Sequence, residues 1–258
     1  MPTSRPIESF KCLTFDCFGT LVDWETGIYT ALSPLTQQLP ASHPLQGNRL
    51  GVLRLFILHE NRVQLEDPAA NYKTVLSETY RGIATELGLE AAPADMARFG
   101  HSVGEWVAFP DTVDALKRLQ KHLKLVILSN VDRESFDRTL AGPLREVKFD
   151  AVYVAEDIGS YKPDLRNFEY LLEHCQKDLG IGKDDIIHTA QSLFHDHVPA
   201  NKMGLPSAWI ERDAGVVSVM GGEHEDLKNQ VDFSWHFKTM GDMADAVDAA
   251  HAAAAARH

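Results

Sequence analysis

From about residue 105 onward, short apolar runs alternate with amphipathic helical stretches, and this alternation confines the fold more tightly than any other feature of the chain. The runs at 125–128, 150–154, 186–189, 207–210 and 234–237 have the length and composition of short strands. Between them, residues 112–122, 134–144 and 166–179 carry apolar side chains at three- and four-residue spacing, as a helix packed along one side requires. Parallel strands need a crossover, and the usual crossover is a helix, so the order predicts an α/β fold: a Rossmann-like, mostly parallel sheet with helices on both faces. One more run, Cys12-Leu13-Thr14-Phe15, lies far upstream, and residues 23–104 in between read as helical, most clearly at 50–65 and 72–87. The expected organisation is therefore a core of residues 1–22 and 105–258 with an all-helical insert, the cap, at 23–104 after the first strand. The Ala-rich tail, 244–258, reads as a surface helix.

Composition narrows the function classes. A formal net charge of −12 disfavours nucleic acid and anionic membrane as partners, since both are gripped by clustered Lys and Arg. No apolar run reaches the roughly 20 residues of a spanning helix. Three cysteines without metal-ligand spacing, and a first ten residues without the apolar stretch of a secretory signal, lead us to expect a cytoplasmic protein with no disulfide framework. The twelve histidines, His195 and His197 among them, form no zinc spacing and read as surface or supporting residues. Cys17 reads as a small packed thiol rather than a nucleophile.

In parallel sheets ligands bind beyond the carboxyl ends of the strands. The polar residues following the runs are Asp16 and Thr20, Ser129 and Asn130, Lys162, and Asp196. Their settings carry a resemblance. Phe15-Asp16-Cys17-Phe18-Gly19-Thr20-Leu21-Val22-Asp23 resembles the first motif of the haloacid dehalogenase superfamily, Leu128-Ser129-Asn130 its second, Tyr161-Lys162-Pro163-Asp164 its third, and the segment from Ala190 to Asp196 a modified fourth. The resemblance implies a hydrolase with Asp16 as covalent nucleophile. A carboxylate that attacks carbon or phosphorus forms an ester that water then opens, splitting one hard displacement into two easier steps. Thr20 and Ser129 can donate to such a carboxylate, Lys162 can keep it ionised, and Asn130 can face a leaving group or a substrate carboxylate.

Phosphatases of the superfamily place a proton-transferring Asp two residues after the nucleophile and an acidic magnesium ligand early in the fourth motif. Phe18 and Gln191 stand at those places, and neither serves that chemistry. An aromatic residue before Gly-Thr is similar to the 2-haloacid dehalogenases, in which halide leaves as a stable anion without a proton donor, a metal or any other cofactor. The resemblance thus implies a short halogenated carboxylate as the small-molecule substrate, a 2-hydroxy acid as product, and Asp196 with Lys162 orienting water; it is compatible with a homodimer.

The substrate-binding candidates are Phe18, Asn130, Asn61, Arg62, Phe168 and Ser192. Asn61 takes the place of the dehalogenases' cap arginine ahead of Gln64-Leu65-Glu66, with Arg62 beside it and Arg54 two helical turns earlier. Phe168 stands where those enzymes have a tyrosine, and Gln191-Ser192-Leu193 where they have a Ser-Asn pair. These departures leave two alternatives open: another carbon-centred hydrolytic reaction at Asp16, or a binding protein without enzymatic activity.

Overall fold

The computed structural model describes residues 3–67, 70–212 and 224–257. Six strands form one sheet: β1 Cys12–Phe15, β2 Lys124–Ser129, β3 Ala151–Val154, β4 Ile186–Ala190, β5 Ser207–Ile210 and β6 Trp235–Phe237. Their order is β3-β2-β1-β4-β5-β6, with every neighbouring pair parallel. Helices α1 Trp24–Thr36, α2 Arg49–Glu66, α3 Tyr72–Glu86 and α4 Pro93–Gly100 follow β1. Then α5 Thr112–Leu119, α6 Arg133–Ala141, α7 Ala155–Ile158, α8 Leu165–His174, α9 Val198–Lys202, α10 His224–Leu227 and α11 Met240–Ala255 are interleaved with the later strands. Short polar side chains start these helices by accepting from otherwise unpaired backbone N–H groups: Asp23, Asn48, Asn71, Asp132, Asp164 and Thr239 each do so.

All four residues of β1 are buried, as a central parallel strand covered on both faces demands. The sheet order reverses at β1, which opens a crevice between the carboxyl ends of β1 and β4. Phe15 pairs with Ile127 on one side and Thr189 on the other, and the Asp16 N–H donates to the Thr189 carbonyl at 3.1 Å. Asp16 is therefore the first residue past the strand, at the switch point itself. On one face, α8 lays Phe168 and Leu171 against Cys12, Val126, Leu128 and Ile186.

The chain divides into two compact units: residues 1–22, 108–130 and 144–258, and residues 23–107 with 131–143. The first holds the sheet. The second is all-helical, its interior built on the aromatic contacts of Phe56 with Trp24 and Phe99 and of Phe99 with Tyr80. Gly27 is needed there, because a Cβ would stand 2.3 Å from two carbons of the Trp106 side chain. The sequence reading places α6 in the core, whereas here it belongs to the second unit. It packs on the 3₁₀ turn Ser102–Glu105, where Arg138 lies against Gly104 and 3.6 Å from Glu105. Local periodicity gives a helix its apolar side but not its partner. The tail also differs from expectation: α11 starts four residues before the Ala-rich stretch and buries Met240, Met243, Ala244 and Val247. No helix among the described residues is long and apolar enough to cross a membrane.

Candidate active site

The site is built from loops at the carboxyl ends of β1, β2 and β4 and from the segment between α7 and α8. After Asp16 the chain turns sharply. Gly19, at φ 95°, occupies the left-handed region, and its N–H donates to the Val22 carbonyl at 2.8 Å. This turn brings Thr20 back over the carboxylate, and its Oγ1 donates to Asp16 Oδ2 at 2.7 Å while accepting from the Gln191 N–H at 2.9 Å. Arg212 pins the same turn by donating Nε to the Thr20 carbonyl and Nη1 to Asp111, at 2.8 and 2.6 Å.

Lys162, just before α8, reaches into the crevice with a side chain only 1% exposed. Its ammonium donates to Asp16 Oδ1 at 2.8 Å, to Asp196 Oδ1 at 2.7 Å and to the Leu128 carbonyl at 3.0 Å, so all three of its protons are used. Asn130 holds the backbone of that lysine from both sides: Nδ2 donates to the Lys162 carbonyl and Oδ1 accepts from the Lys162 N–H, at 2.9 and 2.7 Å. Asn130 thus places Lys162 with one of its two amide protons, and the second is the one left to face a substrate.

Electrostatics follow from crowding two buried carboxylates around one ammonium. Burial raises the Asp16 carboxyl, Lys162 opposes this, and Asp196 adds to it, leaving the group above its usual range. Burial would also raise Asp196, but Lys162 and the His188 ring outweigh it and hold that carboxyl well below its usual range. Burial disfavours a charged Lys162, yet the two carboxylates prevail and keep it an ammonium. The Cys17 thiol is fully buried and pushed upward by burial first and by Asp16 second, which makes it inert.

Other candidates are placed differently. Ser129 is buried, but its hydroxyl has no hydrogen-bond partner among the described residues and does not donate to Asp16. Ser192 Oγ accepts from the His195 N–H and pairs with His195 Nδ1, both at 3.1 Å, so it caps a turn rather than standing free. Phe18 is half-buried in the turn after Asp16. Phe168 has no exposed surface and packs against His188 with ring centroids 5.1 Å apart; a side chain so enclosed does not meet a substrate, contrary to the sequence reading. In the second unit, Asn61, Arg54 and Arg62 are exposed on α2, and Arg62 lies 3.9 Å from Glu66. Arg49, at the start of the same helix, is half-buried: Nη1 donates to Thr26 Oγ1 at 3.1 Å and Nη2 lies 3.9 Å from Glu25, while Nε is a buried donor without a partner among the described residues.

Sequence reasoning grouped His188 with the other histidines and did not single it out. The ring lies inside β4 with no exposed surface, Nε2 2.9 Å from Asp196 Oδ1 and Nδ1 2.8 Å from Thr14 Oγ1. The available signal was a titratable side chain within the apolar run Ile186-Ile187-His188-Thr189, since a buried imidazole must find partners. His197, two residues on from Asp196's other neighbour His195, is likewise buried, bonded to Ser207 Oγ and the Ala190 carbonyl.

A profile of the haloacid dehalogenase-like hydrolases matches residues 10–188, more than half of the chain. The chain belongs to that family. It is 25% identical over 212 residues to an (S)-2-haloacid dehalogenase of Pseudomonas putida, across 81% of this chain and 88% of the relative. Among solved structures, a defluorinating L-2-haloacid dehalogenase superposes with a TM-score of 0.74 at 17% identity, covering 96% of this chain and 100% of the other. The L-2-haloacid dehalogenase of Xanthobacter autotrophicus with chloropropionic acid covalently bound superposes with a TM-score of 0.71 at 18% identity, covering 93% and 98%.

Proposed function

We propose that this hydrolase converts short 2-haloalkanoic acids to 2-hydroxy acids through an ester on Asp16. The observation that carries the reading is the carboxylate itself: buried at the switch point, fixed at one oxygen by Thr20 and at the other by Lys162. A carboxylate with both oxygens held and most of its water removed is oriented for displacement at carbon. Attack on the halogen-bearing carbon forms the C–O bond as the C–halogen bond breaks, and halide departs with the electron pair. It needs no proton, which suits Phe18 at the position where an acid would serve an alcohol leaving group. Water then attacks the carboxyl carbon of Asp16, giving one proton to Asp196, and the released alkoxide takes the other. The sequence similarity to (S)-2-haloacid dehalogenases supports the substrate class.

Within this reading the all-helical unit is the substrate-selecting cap. Ser129, at the end of β2 with its hydroxyl uncommitted, is the candidate in the core for binding the substrate. The test is halide release from (S)-2-chloropropionate and other short haloacids. Wild type should release halide and Asp16→Asn should not; no release from any of them by the wild type would end the dehalogenase reading.

A further inference from the structure

Hydrolysis of the aspartyl ester requires a proton acceptor, and the acceptor works only if the right oxygen faces the water. Asp196 has two oxygens in very different settings. Oδ1 accepts both the Lys162 ammonium at 2.7 Å and the His188 ring at 2.9 Å, whereas Oδ2 is buried with no hydrogen-bond partner among the described residues. His188 is held in turn by Thr14, whose hydroxyl sits on the far nitrogen at 2.8 Å. With Asp196 ionised, Nε2–H must donate to it, and in the neutral ring Nδ1 then accepts from Thr14. The ring packs against Phe168 with centroids 5.1 Å apart and has no exposed surface.

We propose that His188 is a positioning residue for Asp196, serving hydrolysis of the Asp16 ester and not its formation. The inference rests on the function proposed above. Its logic is the division of donors. Asp16 is held by Lys162 and Thr20 and has no bond to His188, so the attacking carboxylate keeps its orientation when the imidazole is removed. Asp196 depends on the imidazole directly. With two donors on Oδ1 the carboxylate cannot rotate, and Oδ2 is the oxygen left to take a proton from water. That proton arrives on an oxygen that no donor occupies, so Lys162 and His188 keep their bonds while the ester carbonyl–oxygen bond breaks and the alkoxide takes the second proton. The proton on Oδ2 then leaves to solvent. Without His188, Lys162 alone holds Asp196, either oxygen can turn toward the ammonium, and the acceptor is no longer fixed.

The experiment combines rapid-quench halide release with mass spectrometry of the Asp16 peptide. His188→Phe should give a burst of one halide per site at the wild-type rate, then a steady state slower by on the order of 100-fold, with the ester accumulating on Asp16. His188→Gln, which keeps a neutral donor near the Nε2 position, should recover part of the steady-state rate, and Thr14→Val should slow it less than His188→Phe. Burst and steady state falling together in folded His188→Gln and Thr14→Val would overturn the proposal, because a merely structural residue affects both steps alike. A substrate-independent arm separates this from the function itself: nitrogen NMR of the wild type should show the proton on Nε2 of His188 and a changed ring signal in Asp196→Asn. A proton on Nδ1 with Nε2 bare would overturn the clamp even if halide is released. The expected tautomer without halide release would leave the clamp standing and remove the dehalogenase reading.

Discussion

Lys162 stands between two carboxylates with every N–H engaged, and this gives its neighbours opposite energetic signs. Removing it leaves two buried charges uncompensated, so Lys162→Met should lower unfolding stability at pH 7 by about 3–5 kcal/mol, read by chemical denaturation. Removing the charge of Asp16 does the reverse: one ammonium then faces one carboxylate. Asp16→Asn should be inactive yet more stable, by about 1 kcal/mol, or roughly 2–4 °C in Tm. Both variants are compared with wild type by chemical denaturation, and an Asp16→Asn protein less stable than wild type would show that Asp16 is not held under charge repulsion. The sequence makes Asp16, Thr20, Lys162 and Asp196 legible as one cluster because each follows an apolar run or turn that brings it to the same sheet edge. It does not disclose which atom meets which. Asn130 turned to the Lys162 backbone, Ser129 left uncommitted and His188 behind Asp196 are decided by partners far away in the chain, to which local spacing is blind.

The elements show the same division between local and tertiary information. Strands read correctly because β1, β2 and β4 are buried on both faces and therefore continuously apolar, whereas the placement of α6 and the buried side of α11 depend on contacts outside their own sequence. Two buried titratable groups, one in each unit, contribute to stability with opposite dependence on pH. Burial raises the Glu60 carboxyl of α2 from 4.5 to about 7, although the Tyr72 hydroxyl donates to it. The folded second unit therefore binds the extra proton between those values, and the stability this contributes is complete below 4.5 and lost as pH rises through 7. Burial lowers the His197 ring of the first unit from 6.5 to about 4, so its contribution is present above 6.5 and lost as pH falls through 4. Each amounts to at most about 3 kcal/mol. Thermal melts between pH 5 and 8 should show Glu60→Gln stabilising chiefly at the alkaline end; an equal effect at pH 5 and pH 8 would contradict the buried-acid account.

For the molecule as a whole, a net charge of −12 sets the problem of admitting the anionic substrate proposed above, and local cations must solve it. Lys162 is saturated by its own partners, so its ammonium is not free for that task. The central claim, however, is that the carboxylate of Asp16 becomes an ester and that water opens it at the aspartyl carbon. The direct measurement is a single turnover with enzyme in excess in heavy-oxygen water, followed by mass spectrometry of the Asp16 peptide and of the product. The account predicts the heavy oxygen in the Asp16 carboxylate and an unlabelled 2-hydroxy acid; label in the hydroxy acid with Asp16 unlabelled would contradict it.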